Sequence, residues 1–159
     1  MRRRLIVMRH AKSDWSSGVD DHERPLAGRG RREAGLAGDW LREQVADVGL
    51  VVCSSGTRAR QTWKRVAKRL DAAPELRVDD RLYGASDRQL RDVVRELPDA
   101  TRTALLIGHN PGLEDLVAEL TGVECPLKTS SIAVLSSRFG WASAGVRWGR
   151  LDSTVTPRG

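Results

Sequence analysis

The 159-residue sequence predicts an α/β protein: a mostly parallel central sheet, helices on both faces and one antiparallel edge strand. Three observations carry this expectation. Short, unbroken apolar runs at Leu5-Ile6-Val7-Met8, Val48–Ser54 and Thr103–Gly108 have the pattern of strands buried on both faces. A segment of helical periodicity follows each run. The tail holds two more strand-like runs, Ser131–Ser136 and Val146–Leu151, with no room for a crossover helix between them, so at least one pairing there is antiparallel. The length suits one domain spanning 1–159.

The elements follow in order. After the first strand comes a polar segment, Ala11 to Ala27, long for a strand-to-helix connection and therefore a candidate functional loop. A helix from about Gly30 to Val45 places Ala34, Ala37, Leu41 and Val45 on one face. Gly28, Gly30 and Gly35 have the wrong spacing, and lie too far from the strand, for a dinucleotide fingerprint. Ser55-Gly56-Thr57 then opens a helix from about Arg58 to Leu70, buried through Ala59, Trp63, Val66, Ala67 and Leu70. Leu76-Arg77-Val78 is a weaker strand. A helix from about Asp87 to Leu97 is stopped by Pro98. The last helix starts near Pro111 and carries Leu113, Leu116, Val117 and Leu120.

Composition narrows the function classes. Apolar residues make up 40%, which argues against disorder. No apolar run approaches the ~20 residues that span a bilayer. Met1-Arg2-Arg3-Arg4 ahead of an apolar run superficially resembles a signal peptide, but Arg9, His10 and Lys12 interrupt it and no cleavage site follows. A cytoplasmic protein without membrane contact is expected. Cys53 and Cys125 are far apart and form no metal-ligand pair or disulfide framework. The net charge is +6, from 27 basic and 21 acidic residues, and only Lys12, Lys64, Lys68 and Lys128 are lysines. The basic residues are scattered among acidic ones and aromatics are only 4%, so nucleic acid is not the expected partner.

The strand ends carry the chemistry. In open α/β sheets, ligands bind beyond the carboxyl ends of the strands. The first strand ends in Arg9-His10, the second leads into Arg58 at a helix N-terminus, and the third ends in His109. If these strands are parallel neighbours, two arginines, two histidines and a helix N-terminus face one pocket. Guanidinium forks grip phosphoryl oxygens, a neutral imidazole can attack phosphorus, and the cations stabilise charge in the transition state. Ser13, just beyond His10, is a further candidate phosphate ligand.

At these residues the sequence resembles the histidine phosphatase (phosphoglycerate mutase-like) superfamily, in its short SixA-like branch. Arg9-His10-Ala11 is similar to the Arg-His-Gly signature. Ser54 to Thr62 resembles the second motif, Gly108-His109-Asn110 the third, and Arg24-Pro25-Leu26 the approach to the first helix. The resemblance covers nearly the whole chain. It implies His10 as the nucleophile that becomes phosphorylated, and Arg9, Arg58 and His109 as the phosphate pocket. It implies neither a metal nor another cofactor. Two positions depart from the pattern. Ala11 stands where glycine is usual, a substitution costing roughly 1 kcal/mol if the site requires φ > 0. Arg81 stands where many members carry a glutamate general acid, which leaves Asp80 and Asp87 as candidate acids.

The expected activity is a metal-independent phosphatase working through phospho-His10. Its favoured substrate is phosphohistidine on a phosphotransfer or signalling protein. A phosphoramidate needs less help from an acid than an alkyl ester does, and no insertion is long enough to form a lid. Small phosphate esters or nucleotides are the alternative substrates. A non-catalytic phosphate- or nucleic-acid-binding module is the alternative from another class.

Overall fold

The structure is a computed structural model, and it describes residues 2–158. Six strands form one sheet: β1 (Arg3–Arg9), β2 (Leu50–Ser54), β3 (Glu75–Asp79), β4 (Thr103–Gly108), β5 (Ile132–Ser137) and β6 (Arg150–Val155). Their spatial order is β3-β2-β4-β1-β5-β6. The first four run parallel, as β2 pairs with β3 and β4, and β4 with β1. β5 is antiparallel to both β1 and β6, so the reversed strand lies one position in from the edge and β6 covers it.

Four helices cover the sheet: α1 (Gly28–Gln44), α2 (Thr57–Ala67), α3 (Asp87–Arg95) and α4 (Gly112–Thr121). The alternation of β1 shows how both faces are filled. Leu5 and Val7 point into the core shared with α3 and α4, while Ile6 and Met8 point into the core under α1 and α2. α3 begins in a capping box. The Ser86 hydroxyl accepts from the Gln89 amide, and the Gln89 side chain accepts from the Ser86 amide.

The last strand departs furthest from the sequence expectation. β6 starts at Arg150, four residues later than the apolar run from Val146 suggested. The Arg147 and Gly149 amides donate to the Glu119 and Leu120 carbonyls at the end of α4, so this stretch belongs to the helix terminus and not to the ladder. β3 is an edge strand with Leu76 and Val78 exposed, which explains its weak apolar signature.

Gly30 fixes the geometry near β1. A Cβ on this glycine would lie 2.0 Å from the Lys12 carbonyl oxygen. Only a glycine lets α1 approach the segment just past His10 this closely.

Candidate active site

The site is assembled where β1, β4 and β2 end side by side. Arg9 is in register with Gly108, and the His10 amide extends the ladder by donating to the Gly108 carbonyl at 3.0 Å. His10 and His109 therefore leave neighbouring strands at the same level. Their ring centroids are 5.1 Å apart, tilted by 52°. Arg58 comes from the first turn of α2, just past β2. The sequence expectation that Arg9, His10, Arg58 and His109 lie at adjoining strand ends matches this geometry.

The hydrogen bonds of His10 fix its tautomer. Nδ1 lies 2.8 Å from the Ala11 carbonyl oxygen, which can only accept, so Nδ1 carries the proton. Nε2 is then the lone-pair nitrogen, and Arg58 Nε donates to it at 3.3 Å. The ring is only 6% exposed. Burial foremost, and then His109, Arg58 and Arg9, push its pKa down to about 3, against the opposing pull of the Ala11 carbonyl. At neutral pH the ring is an uncharged base with a directed lone pair.

His109 is held from the next strand. Its Nε2 is 2.7 Å from Ser54 Oγ, which also accepts from the Gly56 amide at 3.1 Å. When the serine gives its proton to Nε2, the ring hydrogen lies on Nδ1. That nitrogen is buried without a partner. Burial first, and then Arg58, lower the His109 pKa to about 4. Arg9 Nε is likewise buried and unpartnered, while Arg9 Nη1 donates to the Leu127 carbonyl at 3.0 Å. Unsatisfied buried donors of this kind suit an anion that brings its own acceptors.

The strap from Ala11 to Ala27 supplies residues that the sequence reading did not single out. Asp21 is the main one. Its backbone carbonyl accepts from Arg58 Nη1 at 2.8 Å, and its carboxylate accepts from Arg58 Nη2 and Arg24 Nη2, each at 3.1 Å. Tyr83 donates its hydroxyl to the same carboxylate. That bond foremost, and then Arg24 and Arg58, hold the Asp21 carboxyl well below the usual carboxylate range. All three donor groups of Arg58 are therefore engaged, by His10 Nε2 and twice by Asp21.

Thr62 ties the segment after His10 to α2. Its hydroxyl accepts from the Ala11 amide at 3.0 Å and donates to the Arg58 carbonyl at 2.7 Å. Ser130, at φ 62°, donates its amide to the His10 carbonyl from the other side. Gln61, in the first turns of α2, accepts from the Leu26 amide at 2.8 Å and so ties the strap to this helix.

Ser13 is buried and accepts from Arg24 Nη1, so it meets the arginine shared with Asp21, and no hydrogen bond links it to His10. Asp80 is exposed and Asp87 opens α3; neither is hydrogen-bonded to Arg9, His10, Arg58 or His109. Arg81 turns outward to Asp79 at 2.8 Å and Glu96 at 2.8 Å. The residue of that loop facing the site is Tyr83, whose ring meets His109 edge-on at 5.4 Å. His22, on the strap, is half-buried, with Nε2 3.0 Å from Ser55 Oγ. The residue after His10 needs no glycine. Ala11 is absent from the positive-φ residues, and it is fully buried with Leu26 and Ala34.

The sequence profile of the histidine phosphatase superfamily (branch 1) matches residues 5–104. The chain belongs to the histidine phosphatase superfamily. Within this superfamily it is similar to an uncharacterized Mycobacterium tuberculosis protein, at 41% identity over 95% of this chain and 100% of that one. It is 30% identical to phosphohistidine phosphatase SixA of Escherichia coli, over 81% of this chain and 82% of that protein. The structure of a candidate phosphohistidine phosphatase SixA from Nakamurella multipartitia superposes with a TM-score of 0.89 at 31% identity, covering 99% of this chain and 97% of the other. The protein is a phosphatase of this superfamily with a SixA-like fold. Among the described residues no helix is long and apolar enough to cross a membrane.

Proposed function

We propose that this histidine phosphatase removes the phosphoryl group from phosphohistidine on a cytoplasmic partner protein, without a metal ion, through a phospho-His10 intermediate. The observation that carries the reading is His10 itself: a neutral, buried imidazole with Nδ1–H on the Ala11 carbonyl and an Nε2 lone pair beside Arg58. Nε2 attacks phosphorus while Arg58, Arg9 and His109 Nδ1–H receive the phosphoryl oxygens. The P–N bond to the substrate imidazole breaks as the new P–N bond to His10 forms; the substrate ring, protonated on its other nitrogen, keeps the bonding pair and leaves as a neutral imidazole. Water then displaces the phosphoryl group from Nε2 and inorganic phosphate leaves. Ser13 acts one contact further out, through Arg24.

The state of Asp21 bears on the substrate class. Its carboxyl is the one hydrogen-bonded to Arg58, and Tyr83, Arg24 and Arg58 keep it ionised. An ionised carboxylate gives no proton to a departing alkoxide, so esters of poor leaving groups are handled less well than a phosphoramidate. Neither Asp80 nor Asp87 fills that role from its present position. Small phosphate esters are the second reading, supported by the half-exposed mouth around Tyr83 and His109.

The test is phosphate release by wild type and His10→Ala, with and without EDTA. The substrates are a phosphohistidine-bearing phosphotransfer domain, p-nitrophenyl phosphate, and sugar and nucleotide phosphates. The proposal expects release that EDTA leaves intact, that His10→Ala abolishes, and that is fastest on the phosphohistidine domain. Faster turnover of a sugar or nucleotide phosphate transfers the assignment to small esters. Release that survives His10→Ala refutes the covalent route.

A further inference from the structure

The strap that holds Asp21 has an outer side. There Asp14, Pro25 and Leu26 meet Gln61 and Lys64 of α2 around a hollow of 320 Å³. A second hollow, of 380 Å³, continues past Arg32, Gly35 and Arg69. The two share Arg31, Arg65 and Lys68, so they form one groove along α1 and α2. Its six cations (Arg31, Arg32, Lys64, Arg65, Lys68 and Arg69) are all exposed. Arg69 pairs with Asp39 at 2.6 Å. Among the described residues Arg32, Lys64, Arg65 and Lys68 make no ion pair with a carboxylate. Asp14 is the one acidic residue of the lining, and it is occupied by the Ser16 amide at 2.8 Å and hydroxyl at 2.6 Å.

The groove and the site share α2 and the strap. α2 carries Arg58 in its first turn and Lys64 to Lys68 six to ten residues later, about 9 to 15 Å along the helix at ~1.5 Å per residue. Trp15, which is 73% exposed, follows the groove residue Asp14 in the strap. The Asp14–Ser16 turn holds it out, and the Arg24 guanidinium lies 3.6 Å from its ring centre. Arg24 in turn grips Asp21, the partner of Arg58. An exposed tryptophan backed by a fixed cation is the kind of residue that anchors a protein interface. Unpaired cations beside it attract an oppositely charged surface and repel one another in its absence.

We propose that Trp15 and the α1–α2 groove form the docking surface for an acidic protein, whose carboxylates lie along Arg32, Lys64, Arg65 and Lys68 while its phosphohistidine enters the site. The proposal rests on the phosphohistidine reading above. A protein fits better than a nucleic acid because Trp15 is a single aromatic and the groove lining adds none, so successive bases find no run of rings on which to stack. A protein also explains why the groove adjoins the catalytic mouth: a buried nucleophile receives a phosphorylated side chain only if its carrier rests against the outer wall.

The test uses an acidic histidine-containing phosphotransfer domain, phosphorylated with phosphoramidate. Wild type, K64E/R65E/K68E and Trp15→Ala are compared for binding by fluorescence anisotropy at low and high salt. Hydrolysis of the domain and of p-nitrophenyl phosphate is measured in parallel. The triple variant is expected to weaken binding and raise KM for the domain by about tenfold or more. It should leave kcat/KM for p-nitrophenyl phosphate within about twofold, which also shows that it folds. Wild-type binding should fall as salt rises, and Trp15→Ala should weaken it at either salt. Binding and KM that ignore the triple substitution overturn the proposal, as does tighter binding of a duplex DNA oligonucleotide than of the domain. Groove-dependent binding without hydrolysis upholds the docking surface and refutes the reaction. Hydrolysis with a KM indifferent to the groove does the reverse.

Discussion

Replacing Thr62 by valine separates two roles of one buried hydroxyl. Valine keeps the shape but removes the acceptor of the Ala11 amide and the donor to the Arg58 carbonyl. The Arg58 carbonyl keeps its place in the α2 ladder, so its loss is minor. The Ala11 amide has no such reserve. Ala11 and Thr62 are both fully buried, so water does not reach the orphaned N–H. Leaving a buried backbone donor unpaired costs about 1–3 kcal/mol. For a chain of this size each kcal/mol lowers Tm by roughly 2–4 °C, so Tm should fall by about 2–12 °C. Activity should fall too, because Ala11 also provides the carbonyl that orients His10 Nδ1. A kcat reduced about tenfold corresponds to about 1.4 kcal/mol of lost orientation. Thermal unfolding and p-nitrophenyl phosphate kinetics on Thr62→Val and Thr62→Ser measure both. Serine retains the hydroxyl and should keep most of kcat. A valine variant with wild-type Tm and kcat would refute the argument that this hydroxyl positions His10.

Other outcomes follow from the same geometry. With the pKa values of His10 and His109 pushed down to about 3 and about 4, a pH–rate profile should be flat from pH 5 to 7 and fall only below about pH 4. Stability has the matching sign. The unfolded histidines take up protons near pH 6.5 and the folded ones do not, so stability drops as pH is lowered from about 6.5 towards about 3, measurable by urea midpoints. Gly30→Ala drives a Cβ into the Lys12 carbonyl and should destabilise the protein by about 1–3 kcal/mol in denaturant titrations while reducing kcat. Asp21→Asn removes the charge that occupies Arg58 and Arg24. By calorimetry, orthophosphate should bind this variant more tightly, by about fivefold, or about 1 kcal/mol.

The parts of this molecule legible in its sequence are those governed by local pattern. β4 was delimited correctly because all its residues are buried and glycine ends it. The convergence of Arg9, His10, Arg58 and His109 followed from where the chain leaves each strand. Asp21 and Tyr83 could not be read this way. They lie 62 residues apart and meet only because an irregular strap folds back over the ends of β2 and β4. The length of that strap was the one available signal. The acid search went to Asp80 and Asp87 because they are close in sequence to Arg81. The chain there turns so that Arg81 faces Glu96 and Tyr83 faces the site. The late start of β6 was missed because Val146 is apolar but 79% exposed, and its neighbours pair with the end of α4.

The register of β1 against β4 has a consequence for how this protein can change. His10 and His109 are each the first residue past a paired position, Arg9 opposite Gly108, on adjacent parallel strands. Their 5.1 Å ring separation is therefore close to the ~4.8 Å spacing between neighbouring strands. The backbone acts as the gauge that sets it, and substitution in the surrounding core can neither stretch nor shorten it without breaking the sheet. Arg24, Asp21 and Tyr83 are mounted on the strap and on a turn, outside that gauge. Choice of substrate can be rewritten in these segments while the distance between the two imidazoles stays as constant as the pitch of the sheet.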